Sequence, residues 1–157
     1  MTMTRRDVLT AAAAGAAAIA APFALAQRRG DGHLTARLRS PSQAIAAGEH
    51  ALGLSADRDG LLLVPKNYRA ATPAPLLLLL HGAGGSGRRV SSLFGAALDL
   101  GFIVLAPDSR DRTWDAIRGN FGPDVDFLNR AMNHAIDRCA IDRRHVAIGG
   151  FSDGATY

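Results

Sequence analysis

Val146-Ala147-Ile148-Gly149-Gly150-Phe151-Ser152-Asp153-Gly154 is the stretch on which the fold turns. A short apolar run passes directly into Gly150-x-Ser152-x-Gly154, the pattern of a serine held at a sharp turn between a strand and a helix. A turn that tight crowds the backbone on both sides, and a residue without Cβ fits there most easily. The spacing alone is weak in a chain with 17 glycines. Its position behind a β-like run gives it weight.

Working outward, two more apolar runs have the same character. Leu76 to Leu80 is uniformly apolar and suits a central strand covered on both faces. Phe102 to Ala106 is the second, stopped by Pro107-Asp108. Between them, Val90, Leu93, Phe94, Ala97 and Leu98 fall at helical spacing within Arg88 to Leu100, and Gly101 follows as a C-cap. Ser109 to Gly122 reads as a polar loop containing Trp114. Pro123 then suits a first helical turn, and Val125, Leu128, Met132, Ala135, Ile136 and Cys139 form one helical stripe. Asp124 and Asp126 stand at its positive end and Arg138 at its negative end. Earlier, His33 to Arg39 alternates like a half-buried strand, and Ala51 to Leu54 and Leu61 to Val64 flank a turn-rich connector like a hairpin. The sum predicts an α/β fold: a mostly parallel sheet with antiparallel N-terminal strands and helices on both faces. Function in such sheets lies at the carboxyl ends of the strands.

Of the 157 residues 48% are hydrophobic and 20% charged, which is a globular composition. The net charge of +4 rests on arginine: 17 of the 18 basic residues are Arg, scattered and not interleaved with aromatics. That pattern argues against a nucleic-acid partner. Cys139 is the sole cysteine, so an intrachain disulfide and a Cys-based zinc cluster are excluded. At the N-terminus, Arg5-Arg6 precedes the Ala-rich run Val8 to Ala26, which ends in Ala24-Leu25-Ala26. This reads as a cleaved export signal of twin-arginine type over residues 1–26, with the Tat translocon as its transient partner. The competing membrane anchor is disfavoured by weak hydrophobicity, so no membrane span is expected after cleavage. The expectation is export to the periplasm or exterior of a bacterium. Residues 27–50 read as an extension with the first strand, and 51–157 as the body of the domain.

The loop after the Leu76–Leu80 run supports two readings. Gly82-x-Gly84-x-x-Gly87 matches the dinucleotide fingerprint, with Asp108 at the end of the following strand, which would make a Rossmann-type nicotinamide oxidoreductase. The phosphate-loop variant is poorer, because Arg88-Arg89 stand where Lys and Ser/Thr belong. The other reading is an oxyanion loop: His81-Gly82-Ala83-Gly84-Gly85 would bring backbone N–H groups to the charge that develops during acyl transfer. It accounts for His81, for the later serine turn and for the antiparallel prelude.

On Leu61-Leu62-Leu63-Val64-Pro65, Leu80-His81-Gly82-Ala83-Gly84-Gly85, Ala106-Pro107-Asp108 and Gly150-Phe151-Ser152-Asp153-Gly154, residues 52–157 resemble an α/β-hydrolase of the carboxylesterase/phospholipase and polyhydroxybutyrate-depolymerase-like serine esterase group. The resemblance implies a three-layer fold and hydrolysis of a small-molecule or lipid-like ester or thioester through an acyl-enzyme. It implies Ser152 as nucleophile and the N–H groups of Ala83 and Asp153 as oxyanion donors. Metal and organic cofactors are not expected.

A serine hydroxyl needs a base, and in this fold the acid and histidine follow the serine in the chain. Only Asp153 to Tyr157 do so here. His33, His50, His134 and His145 lie elsewhere in the pattern, and His81 reads as a structural residue under the loop. The expectation is the N-terminal part of a hydrolase, truncated after the elbow and inactive as an isolated fragment, with a non-catalytic exported fragment as a further alternative. Asp108 and Trp114 follow a strand's carboxyl end and are candidates to line the substrate cleft, against the plainer roles of loop cap and loop packing. Cys139 and Tyr68 read as packing.

Overall fold

The computed structural model describes residues 31–157; the expected export signal lies outside the described residues. Five strands form one sheet: β1 (Gly48–Ala51), β2 (Gly60–Val64), β3 (Ala74–Leu80), β4 (Ile103–Pro107) and β5 (Ile141–Gly150). Their order across the sheet is β1-β2-β4-β3-β5. β1 pairs with β2 and β2 with β4 in antiparallel register, whereas β3 runs parallel to β4 and to β5. The sheet is thus mixed, not mostly parallel as expected: two of its four pairings are antiparallel. β3 is the pivot, since the chain passes from it to β4 on one side and then crosses over it to β5 on the other. Such a reversal opens a crevice at the carboxyl ends of the strands.

Alternation along the central strands assigns the two faces. Leu76, Leu78 and Leu80 of β3, with Ile103 and Leu105 of β4, pack beneath Phe127, Leu128, Ala131, Met132, Ala135 and Ile136. The latter belong to the long helix Pro123–Arg138. Leu79, Val104 and Ala106 point the other way, onto Val90. Val90 lies in α1 (Gly87–Ser91), which is followed by a 3₁₀ turn (Ser92–Phe94) and α2 (Gly95–Asp99). The single helix expected over Arg88–Leu100 is therefore broken in two, with Gly101 beyond it at φ +87°. α3 (Asp115–Arg118) is one turn inside the expected polar loop, α4 is the long helix, and α5 (Asp153–Thr156) follows the serine.

Three strand expectations change. β1 lies three residues earlier than the sequence suggested, because Leu52 to Asp59 form the loop and the Asp59 carboxylate accepts the N–H groups of Gly53 and Leu54. His33–Arg39 is extended and alternates in exposure but joins no strand. It lies along α4: Asn129 Oδ1 accepts the Thr35 N–H at 2.6 Å, and Arg39 pairs with Asp137 at 2.6 Å. Leu34, Ala36 and Leu38 add to the core from that position. β5 is longer than the apolar run, and Val146 and Ile148 on it are 43% and 64% exposed, so this strand is not buried as expected. Cys139 is buried, as read; its thiol pKa is pushed up to about 11 by loss of hydration, which leaves it without nucleophilic character.

α1 meets the sheet so closely that a Cβ on Gly87 would stand 1.8 Å from the Ala106 carbonyl oxygen, whereas one on Gly95 would meet nothing within 4 Å. Opposite outcomes follow for the same substitution. Gly87→Ala is expected to lower stability by about 1–3 kcal/mol and Gly95→Ala to raise it by about 0.5 kcal/mol, measured by urea unfolding.

Candidate active site

The end of β5 and the end of β3 are adjacent, with Gly150 opposite Leu80 in register. Directly beyond, the Phe151 N–H bonds the Leu80 carbonyl at 3.0 Å and the chain turns into α5. Ser152 sits at the apex with φ 52° and ψ −120°, the one non-glycine residue of positive φ among the described residues. A side chain in that region costs about 1–3 kcal/mol and persists only where the surroundings over-determine it. The flanking glycines supply the determination. A Cβ on Gly150 would lie 2.2 Å from the Gly154 oxygen, and one on Gly154 only 2.4 Å from the Leu80 oxygen.

The loop after β3 lies against this turn. A Cβ placed on Gly82 would be 3.2 Å from Ser152 Cβ, so the two backbones are in contact. The Gly84 N–H is used by the Arg112 carbonyl at 2.6 Å and the Gly85 N–H by the Gly82 carbonyl at 3.0 Å. The N–H groups of Ala83 and Asp153 have no backbone acceptor among the described residues. Asp153 opens α5, where a first-turn N–H has no partner within the helix; its carboxylate accepts the Thr113 hydroxyl at 2.6 Å. Beside the turn lies a cavity of about 430 Å³ whose walls include Gly82, Ala83, Arg89, Val90, Leu93 and Phe151. Leu93 and Phe151 are 66% and 59% exposed.

Beneath the loop, His81 is buried. Its Nδ1 is 2.7 Å from the Gly82 carbonyl oxygen, and its Nε2 accepts the Ser109 backbone N–H at 2.9 Å. Burial is the main cause that holds its pKa below the ordinary value, with the Arg58 charge acting in the same direction. Arg58, on the β1–β2 connection, donates to the Gly85 carbonyl at 2.9 Å and to the Ser109 carbonyl. Neither Arg58 nor Ser109 was legible as a site residue, since no local pattern marks an arginine in a turn or a serine in a polar loop.

The two cleft candidates are corrected. Trp114 is fully buried; its indole N–H bonds the His81 carbonyl at 2.8 Å, and its ring lies between those of His81 (4.9 Å) and Tyr157 (5.2 Å). It supports the loop from below and does not line the cavity. Asp108 accepts the Gly87 N–H at 2.6 Å and caps α1. That contact also argues against the dinucleotide reading, because a carboxylate occupies the helix N-terminus where a pyrophosphate would have to sit. Asp124, expected only as a helix-end charge, is buried and holds the 109–122 loop by accepting the N–H groups of Arg110 (2.5 Å) and Asp115 (2.7 Å).

None of the five histidines is hydrogen-bonded to Ser152. His33 bonds Asp31, His50 bonds the Ala46 carbonyl, and His81 is enclosed as described. His134 is half-buried on α4. His145 pairs with Asp142 at 2.7 Å midway along β5, roughly 20 Å from Ser152 at about 3.3 Å per strand residue. Among the described residues no group of His, Cys, Asp and Glu could hold a metal ion, and no helix is long and apolar enough to cross a membrane.

With this geometry in hand, comparison with known proteins gives a consistent class. The chain is similar to the probable feruloyl esterase C of Aspergillus oryzae, 31% identical over 106 residues that cover 62% of this chain and 38% of that protein. It is similar also to the probable feruloyl esterase C of Aspergillus flavus, 30% identical over 106 residues with the same coverage. The chain thus spans about two fifths of the length of the curated relatives it matches. No protein-family model matches it.

The strain at Ser152 has a direct test. Ser152→Gly is expected to stabilise the chain by about 1 kcal/mol, whereas Ser152→Ala, which keeps the Cβ, is expected to change stability by less than about 0.5 kcal/mol; urea unfolding of the two variants side by side reads the difference.

Proposed function

We propose that residues 51–157 carry the nucleophile-bearing part of an α/β-hydrolase-type ester hydrolase, with Ser152 as nucleophile and the N–H groups of Ala83 and Asp153 as the oxyanion donors. The observation that carries this reading is Ser152 itself: a side chain held at φ 52° between two glycines that admit no Cβ, in contact with the glycine loop after β3. A strained exposed serine there has no packing role, and strain of this kind clusters at functional sites. Similarity to two proteins named as esterases supports the same class.

In this scheme the Ser152 oxygen attacks the ester carbonyl and its proton passes to a base. The carbonyl oxygen, now negative, is met by the two N–H donors. Collapse expels the alcohol, which takes the proton, and leaves an acyl-serine; water then adds, releases the acid and restores the hydroxyl. No histidine among these 157 residues stands where that base must be. The substrate is a small-molecule or lipid-like ester, and the names of the relatives make feruloyl esters the first to try. The mixed apolar and cationic cavity beside Ser152 suits the acyl or alcohol portion.

Expressed from its complete reading frame, the protein is expected to be labelled by a fluorophosphonate at Ser152 and to hydrolyse an aryl ester, with Ser152→Ala lowering kcat by about 10³-fold or more. A folded product that is neither labelled nor active removes the proposal. The 157-residue chain alone is expected to hydrolyse the same ester no faster than its Ser152→Ala variant.

We also propose export of twin-arginine type, supported by Arg5-Arg6 and by Ala24-Leu25-Ala26. Mass spectrometry of the exported protein is expected to find Gln27 at the N-terminus, and an intact Met1 would rule out cleavage.

A further inference from the structure

Arg58, His81 and Ser109 take no part in the proposed bond-making steps, yet they converge beneath the glycine loop. We propose that these three residues lock one peptide plane, Gly82–Ala83, so that His81 and Arg58 are positioning residues for the Ala83 N–H. The functional consequence rests on the reading of Ala83 as an oxyanion donor; the lock itself does not.

The proton on His81 is fixed by its surroundings. The Ser109 backbone N–H lies 2.9 Å from Nε2. A backbone N–H can only donate, so Nε2 is an acceptor and the ring proton of the neutral imidazole is on Nδ1. That Nδ1–H donates to the Gly82 carbonyl oxygen at 2.7 Å. The same oxygen accepts the Gly85 N–H at 3.0 Å. Two donors therefore hold the Gly82 oxygen from inside the loop. The peptide is trans, so the N–H of Ala83 points the opposite way, and it has no acceptor among the described residues. Gly82, which lacks a Cβ, leaves its side of this peptide conformationally free without such bonds. A flip would forfeit both bonds and leave the Nδ1–H of a buried ring without a partner.

Arg58 ties the arrangement together. Its guanidinium NH2 group is 3.3 Å from His81 Nε2, 2.9 Å from the Gly85 carbonyl and 3.3 Å from the Ser109 hydroxyl. It thus bridges the loop after β3 and the loop after β4. Its charge also opposes a second proton on His81. Asp108 is the one charge that acts in the opposite sense, while burial, the largest influence, favours the neutral ring. Trp114 covers the ring from below and fixes the His81 carbonyl. A histidine that only filled space would leave its two nitrogens interchangeable. Here each has a distinct partner, and the partners determine which way a catalytic N–H faces.

The first measurement uses the 157-residue chain, labelled with ¹⁵N, and long-range proton–nitrogen correlation of the imidazoles. His81 is expected to show a proton on Nδ1 alone at about pH 8 and to take up its second proton at lower pH than free imidazole in the same sample. Arg58→Met is expected to give mixed tautomers or a ring that titrates closer to free imidazole, and Arg58→Lys an intermediate result. A proton on Nε2 at the higher pH, or ordinary titration in the unsubstituted chain, overturns the lock. The second measurement uses the protein from its complete reading frame. The side-chain amide of His81→Asn places an N–H where Nδ1–H stood, so this variant is expected to keep most of kcat. His81→Gln and His81→Leu are expected to lose about tenfold or more in kcat with KM within about twofold. Equal losses in all three overturn the positioning role. The failures separate: a wrong tautomer refutes the lock whatever the activity, whereas a correct tautomer in an unsubstituted protein without Ser152-dependent turnover refutes the ester-hydrolase reading instead.

Discussion

The backbone of the serine turn lies directly on the last carbonyl of β3, that of Leu80, and on the His81 carbonyl that follows it. A Cβ at position 154 would stand 2.4 Å from the Leu80 oxygen and 2.6 Å from the His81 oxygen. That approach brings α5 over the end of the sheet, forces Ser152 into a backbone region side chains avoid, and sets the loop after β3 against it. The strain at Ser152 is local, but what sustains it is not. β3 must be central, its end must be open, and β5 must run parallel beside it with Gly150 opposite Leu80. The sheet order β1-β2-β4-β3-β5 meets those conditions by placing β3 between its two parallel partners, β4 and β5.

The second layer of organisation is polar and buried. The 109–122 segment contains little regular structure, yet it is anchored at several points. Asp124 accepts two of its backbone N–H groups, the Ser109 N–H enters His81, and the Trp114 indole reaches the His81 carbonyl. Buried polar groups of this kind are stabilising only when they are satisfied, because an unpaired one costs more than the bond is worth. The consequence is coupling. The loop that presents Ala83 is held by a segment from the other side of β4, and Arg58 from the β1–β2 connection joins both. The proposed ester-hydrolase scheme requires donors in place before charge develops, and a rigid, hydrogen-bonded underside suits that requirement.

Much of the sheet was legible because its demand is local and marks the sequence: β3 and β4 are uniformly apolar runs whose even and odd residues serve opposite faces, and the stripe on α4 meets one of them. Gly150-x-Ser152-x-Gly154 was legible for the same reason, since a steric demand leaves glycines in the sequence. Other expectations failed on identifiable physics. His33–Arg39 has the period of a strand because any extended segment lying on a core alternates; its polar partners are on α4, not on a neighbouring strand. Val146 and Ile148 are apolar but exposed, so apolarity alone did not give their burial. Trp114 and Asp108 follow a strand end, where ligand groups are common, yet one is enclosed by rings and the other caps α1.

The sequence by itself determined the apolar runs that make the central strands, the helical stripe, and the two glycine-flanked turns, because each depends on neighbours a few residues away. It determined also that Cys139 forms no disulfide within the chain. Only the tertiary structure decided which face of the loop His81 serves, that Arg58 from a distant turn holds it, and that the glycine loop and the serine turn touch. These are contacts between residues 23 to 70 positions apart, set by how the strands are ordered. Strand order depends on burial summed over the whole domain, and no single stretch carries it.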